Sequence, residues 1–281
     1  MIDDRMHIGD AVLWAATTGN GPPMVLCHGG PGASDNLGSV ASLIDDLVAV
    51  HRYDQRGCGR SSRTPPYNLN TFIEDLDALR AHWGHERWIV GGHSFGASLA
   101  TAYSLVFPER VQGLLCLDGT GVTVAWREEY EAERDRRLGA KADRLGYLRA
   151  NVPSIEHDES AQQEVAELLG ETEFFDAAEV RKRSPLFQHP HNYEVNALLN
   201  IDWAEWCSKP SLADDLRSLS FPALLIHGSG DPRPAWPSKR LGDLLPNARW
   251  AQIDEAGHWP WLERPNEFAD AVRAWLREMV L

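Results

Sequence analysis

Apolar and polar positions along this chain fall into two regimes. Up to about residue 120, short apolar runs alternate with stretches of helical period. Residues 5–18 read as a hairpin turning at Gly9-Asp10, a pair suited to tight turns. Met24-Val25-Leu26-Cys27 and Leu47–Tyr53 read as buried strands. Thr71–Trp83 reads as a helix, with Phe72, Leu76, Leu79 and Trp83 at helical spacing and Thr71 and Glu74 spaced as a capping box. Trp88–Gly91 and Val111–Leu117 are further strands, separated by a helix that ends near Phe107-Pro108. Strand–helix alternation of this kind predicts an α/β fold: a mostly parallel sheet covered by helices on both faces.

The texture changes over residues 121–216, which hold no comparable β run. Trp126–Ala150 and Glu159–Leu169 are charged, helical stretches, and Glu133 and Arg137 stand one turn apart on what reads as a solvated face. The first pattern resumes at Phe221–Gly228. Helices near 237–245 and 265–279 then flank a last strand, Ala248–Ile253. The expected organisation is a core domain built from 1–120 and 217–281, interrupted by a helical cap domain at 121–216.

Composition narrows the function classes. The chain has 281 residues, 43% of them hydrophobic, and a formal net charge of -14. So acidic a surface repels phosphate backbones, which argues against nucleic-acid partners. No apolar run approaches the ~18 residues of a membrane span. The opening residues Met1–Arg5 lack the apolar segment of a secretion signal. The 4 cysteines are scattered without a C-x-x-C pair, as expected of free thiols in a reducing cytoplasm. Cys58, in a glycine loop, reads as a small loop residue.

Gly92-His93-Ser94-Phe95-Gly96 lies between a strand and a helix, the context in which G-x-S-x-G forms a nucleophile elbow. A serine hydroxyl needs a neutral imidazole as base, and the imidazole needs a carboxylate to orient it. Such folds supply them in the order Ser, Asp, His. Asp231, in Gly228-Ser229-Gly230-Asp231-Pro232, and His258, in Gly257-His258-Trp259, occupy loops after the last two strands. Phe95 N–H and Gly30 N–H, the latter in His28-Gly29-Gly30-Pro31-Gly32, are the expected oxyanion donors. His28 and His227 end strands and read as loop braces, and His93 as a packed elbow residue. His189 and His191 form an H-x-H pair without a third ligand in view, so no metal and no cofactor is expected.

At these residues the chain resembles the α/β-hydrolase superfamily. The two loops His28–Gly32 and Asp54-Gln55-Arg56-Gly57-Cys58-Gly59-Arg60-Ser61 resemble those of the proline iminopeptidase family of serine peptidases. The resemblance covers roughly 5–120 and 220–281. It implies release of an N-terminal residue, often proline, from small peptides, with cap carboxylates holding the free ammonium group. By position Glu194 is the best such carboxylate, with Asp202 and Glu205 weaker. Trp259, with Trp236 and Trp261 near the catalytic loops and Trp203 and Trp206 in the cap, suggests an aromatic pocket for a compact apolar group. Two departures keep alternatives open. The elbow differs from the Gly-Gly-Ser-Trp-Gly common in that family and suits esterases, thioesterases and lactonases equally, and the cap matches nothing specific. A binding protein on a hydrolase scaffold is the remaining class. The expected partner is a small peptide or acyl substrate; oligomeric state is not legible.

Overall fold

The computed structural model describes residues 2–151, 158–176 and 191–280. Eight strands form one sheet: β1 (Ile2–Ile8), β2 (Ala11–Thr18), β3 (Pro23–Cys27), β4 (Ala49–Tyr53), β5 (Trp88–His93), β6 (Val111–Leu117), β7 (Ala223–Gly228) and β8 (Ala248–Ile253). Their spatial order is β1-β2-β4-β3-β5-β6-β7-β8. β1 and β2 pair antiparallel with Ile8 opposite Ala11, so the hairpin turns at Gly9-Asp10 as its sequence predicts. β2 also runs antiparallel to β4; all later pairs are parallel.

Period-2 alternation sorts the strand side chains into two cores. Val25, Cys27, Leu114, Cys116 and Leu225 pack on one face with helices Leu69–His82 and Phe95–Val106. Met24, Leu26, Leu115, Leu117, Leu224 and Ile226 pack on the other with Phe268, Val272 and Trp275 of helix Pro265–Val280. Burial on both faces is why these strands are almost continuously apolar.

The helix expected at Thr71 starts two residues earlier. Asn68, not Thr71, is its cap, and Asn68 Oδ1 accepts the Thr71 N–H at 2.9 Å. Asp202 Oδ2 accepts the Leu69 N–H of that same first turn at 2.8 Å. Between β6 and β7 the chain leaves the sheet and runs through helices Arg127–Leu138, Ala142–Ala150, Glu159–Glu173, Tyr193–Cys207 and Leu212–Arg217. The single charged stretch 126–150 is thus two helices, parted at Gly139 with φ 54°. Leu138, Leu145, Leu148, Val165 and Leu168 give this insertion a small core of its own. Among the described residues no helix is long and apolar enough to cross a membrane.

Candidate active site

The direction of strand addition reverses at β3: the chain moves outward to β4, then crosses back to place β5 on the other side. Loops leaving the two strands at such a point diverge and open a crevice. Here they are His28–Gly32 after β3 and the elbow after β5. Ser94 has φ 55° and ψ −120°, a backbone state sparsely populated for a residue with a side chain. Its N–H donates to Leu117 O at 2.9 Å, which anchors the strained turn to β6. The flanking glycines are required by closeness. A Cβ on Gly92 would lie 2.1 Å from Gly96 O, and one on Gly96 would lie 2.0 Å from Cys27 O.

Phe95 opens the following helix, so its N–H belongs to the unpaired first turn at the positive end of the helix dipole. Gly30 has φ 126°, in the region that favours glycine. Both residues line a cavity of about 820 Å³ with Ser94 and His258. Among the described residues, neither the Phe95 N–H nor the Gly30 N–H has a hydrogen-bond partner.

Asp231 follows β7 and His258 follows β8, two paired neighbours, so their loops leave the same end of the sheet. His258 Nδ1 lies 2.6 Å from Asp231 Oδ2. With the proton on Nδ1, Nε2 is the nitrogen that can accept from a hydroxyl. Burial by itself would raise the Asp231 carboxyl. The charge of His258 and its hydrogen bond, with Arg233 and His227 behind them, outweigh burial and hold the group well below the usual carboxylate range. Among the described residues Ser94 Oγ has no hydrogen-bond partner; the hydroxyl and the imidazole share the cavity without being joined.

Several groups at the site carry no sequence signal of their own. Arg233 donates to Asp231 Oδ1 through its backbone N–H at 2.9 Å, and its Nη2 donates to Glu173 Oε1 at 2.8 Å. Its guanidinium stacks 4.6 Å from the Tyr130 ring centroid. Glu173 Oε2 accepts from Trp259 Nε1 at 3.2 Å, and Glu173 O accepts the His258 N–H at 2.7 Å. Arg137, expected on a solvated face, does pair with Glu133 but also donates to Thr172 O at 2.7 Å and Gly230 O at 2.9 Å. It therefore ties the insertion to the Asp231 loop. Burial keeps His93 neutral, and its Nε2 donates to His258 O at 2.9 Å.

Asp118 ends β6 with φ 44° and is fully buried. One ligand-type atom each from Asp118, His227 and Asp231 falls within 4.8 Å of the others, and Asp231 is already engaged by His258 and Arg233. His227 Nε2 donates to Arg233 O at 3.1 Å, and His28 Nδ1 donates to Gly29 O at 2.8 Å, so both histidines do brace loops. Cys58 is buried, which pushes its thiol well above the ordinary range.

The remaining expectations divide. Trp259 is 4% exposed and lines the cavity with Trp203, beside Phe95, Trp126, Tyr130 and Tyr193. Trp206 and Trp261 are packed into the hydrophobic cores, and Trp236 is exposed and donates to Glu129. Glu194 is exposed and does not line the cavity. The face of helix Tyr193–Cys207 turned inward carries Tyr193, Asn196, Ala197, Asn200 and Trp203, and Glu194 stands a helical step away from that row. Asp202 and Glu205 are also outside the lining. His191 lines the cavity, with burial lowering it to about 4; His189 lies outside the described residues.

Comparison with known proteins agrees with this fold. A proline iminopeptidase of Clostridium botulinum is 26% identical over 279 residues, covering 93% of this chain and 92% of its own. The solved proline iminopeptidase of Mycobacterium smegmatis superposes with a TM-score of 0.72 at 22% identity, covering 99% of this chain and 98% of its own. A thermophilic esterase from Thermogutta terrifontis superposes with a TM-score of 0.71 at 22% identity over 100% of both chains. The family model for the alpha/beta hydrolase fold matches residues 22–265. That span takes in the Ser94 elbow and the Asp231–His258 pair alike, so the chain belongs to the alpha/beta hydrolase fold family.

Proposed function

We propose that this protein is a serine hydrolase that works through an acyl-enzyme and releases an N-terminal residue, proline-type, from small peptides or amides. Ser94 attacks the substrate carbonyl while His258 Nε2 takes the hydroxyl proton. Asp231 fixes the tautomer and stabilises the imidazolium. The Gly30 and Phe95 N–H groups receive the oxyanion. His258 then protonates the leaving amine and activates water to free the acyl group. Each step uses side chains, backbone N–H groups and water; no cofactor is needed. Residues 121–216 act as the cap that selects substrate. The observation carrying the hydrolase reading is the 2.6 Å His258–Asp231 pair sharing one cavity with the strained Ser94.

Two things support the aminopeptidase reading. The curated relatives named proline iminopeptidase match along about nine-tenths of the chain. The cavity also sets a carboxylate, Glu173, beside the indole of Trp259, a place for an ammonium group next to an apolar ring. Glu173 replaces Glu194 in this role. One observation favours a second reading, an ester, thioester or lactone substrate without an amine: Glu173 is already paired with Arg233. Side-by-side assay of a prolyl arylamide and a short acyl ester separates the two; turnover of the ester alone defeats the aminopeptidase reading. Covalent labelling by a fluorophosphonate, lost in Ser94→Ala together with about 10⁴-fold of turnover, is the result expected of both. No labelling of the wild type would leave a binding protein on a hydrolase scaffold.

A further inference from the structure

The loop that would supply the first oxyanion donor contains three glycines in four residues, Gly29-Gly30-Pro31-Gly32, and so has little stiffness of its own. Four of its carbonyls are held, those of His28, Gly29, Pro31 and Gly32. The core holds the first two: Gln55 Nε2 donates to His28 O at 2.8 Å, and His28 Nδ1 donates to Gly29 O at 2.8 Å. The insertion holds the next pair. Asn196 Nδ2 donates to Pro31 O at 2.8 Å, and Asn192 N donates to Gly32 O at 2.8 Å. Gly30 N–H lies between the two sets of anchors. The approach is close enough that a Cβ on Gly32 would lie 2.3 Å from Asn192 O.

The grip extends along the cavity wall. Asn196 and Asn200 are one turn apart on one helix face. Asn200 Nδ2 donates to Asn196 O at 2.8 Å and sits 3.3 Å from its Oδ1. Arg127 Nη2, from the first helix of the insertion, donates to Asn200 Oδ1 at 2.7 Å. An oxyanion hole works by having its donors already in place when charge develops, so whatever fixes the loop acts on the transition state and not on substrate binding.

We propose that Asn196 is a positioning residue for the oxyanion donor Gly30, so that the helical insertion completes the catalytic machinery as well as covering it. The proposal rests on the acyl-enzyme reading above. Its test measures kcat, KM and two inhibition constants in wild type and Asn196→Asp, which keeps the size of the side chain and removes the donor. The inhibitors are a trifluoromethyl ketone, which forms a tetrahedral oxyanion on serine, and the carboxylic acid product. The expected result is a fall in kcat of about 10–100-fold with KM within about twofold, and a matching loss of affinity for the ketone with product binding unchanged. Asn196→Gln, which retains an amide donor, recovers part of the loss. Asn196→Ala, which adds no charge, carries the same expectation should the aspartate variant fail to fold. Unchanged kcat, or equal weakening of ketone and product, overturns the proposal. Failure of the fluorophosphonate to label wild-type Ser94 instead overturns the acyl-enzyme reading, so the two failures are distinct.

Discussion

Asp118 and Asp231 follow neighbouring strands β6 and β7 with their side chains buried around His227, yet their carboxyls are shifted in opposite directions. Burial, reinforced by the charge of Asp231, pushes Asp118 well above its ordinary value, whereas His258 holds Asp231 well below. Two carboxylates this close cannot both be ions at little cost, and the one facing the imidazole keeps the charge. Asp118→Asn puts a neutral amide of the same shape where burial already disfavours the ion, so kcat/KM is expected to stay within about tenfold of wild type. Asp231→Asn is expected to lose about 10⁴-fold, because the imidazole loses the partner that fixes its tautomer. Steady-state kinetics on both variants decides which carboxylate serves; a larger loss in Asp118→Asn would reverse the assignment.

Glu173→Gln and Glu194→Gln should differ. The first takes the Glu173 carboxylate from the Arg233 guanidinium, which keeps Asp231 Oδ1 at 3.4 Å, and is expected to cost about 1–2 kcal/mol, read as a lower urea midpoint. On an amine substrate it should also raise KM. Glu194 is exposed on a first helical turn, so its neutralisation should leave both stability and KM near wild type. A KM effect confined to Glu194→Gln would restore that residue to the amine-binding role.

Gly96→Ala tests the elbow without touching a reacting group. The new methyl would lie 2.0 Å from Cys27 O, a backbone atom that cannot swing aside. The expected cost is about 3 kcal/mol or more, with loss of fluorophosphonate labelling as the turn opens. Thermal unfolding of the purified variant, beside wild type, measures it.

Acid should destabilise the fold through His51. Its ring stacks 4.2 Å from Trp83 and is lowered to about 4, chiefly by burial. A histidine held neutral when folded contributes fully above its unfolded value of about 6.5, and that contribution is lost as pH falls from there toward 4. Between pH 7 and 5 the loss is about 2 kcal/mol, so His51→Gln should show a visibly smaller drop in urea midpoint over that interval. An identical drop in both proteins would assign the acid sensitivity elsewhere.

Where the sequence succeeded, the signal was local. G-x-S-x-G between a strand and a helix is short-range chemistry, since the turn itself excludes side chains at Gly92 and Gly96. The alternation of Val25 and Cys27 with Met24 and Leu26 already contains both faces of β3. His28 at a strand end was legible as a brace for the same reason. Where it failed, the residue types matched but the backbone or the facing surface decided. Asn68, with its backbone extended, is the cap in place of Thr71 and accepts the Thr71 N–H. In Asn192-Tyr193-Glu194-Val195-Asn196, Tyr193 and Asn196 line the cavity and Glu194 does not, because the helix presents another side to it.

The alternation of strands and helices, the elbow and the residue types of a Ser–His–Asp set are written along the chain, because each depends on neighbours a few positions away. Glu173, Arg233, Asn196 and the opposite shifts of Asp118 and Asp231 are not. Those follow from groups tens to hundreds of positions apart being buried against one another, where loss of water makes every unpaired charge and every unanchored carbonyl costly, and only the packed molecule settles which partner each one finds.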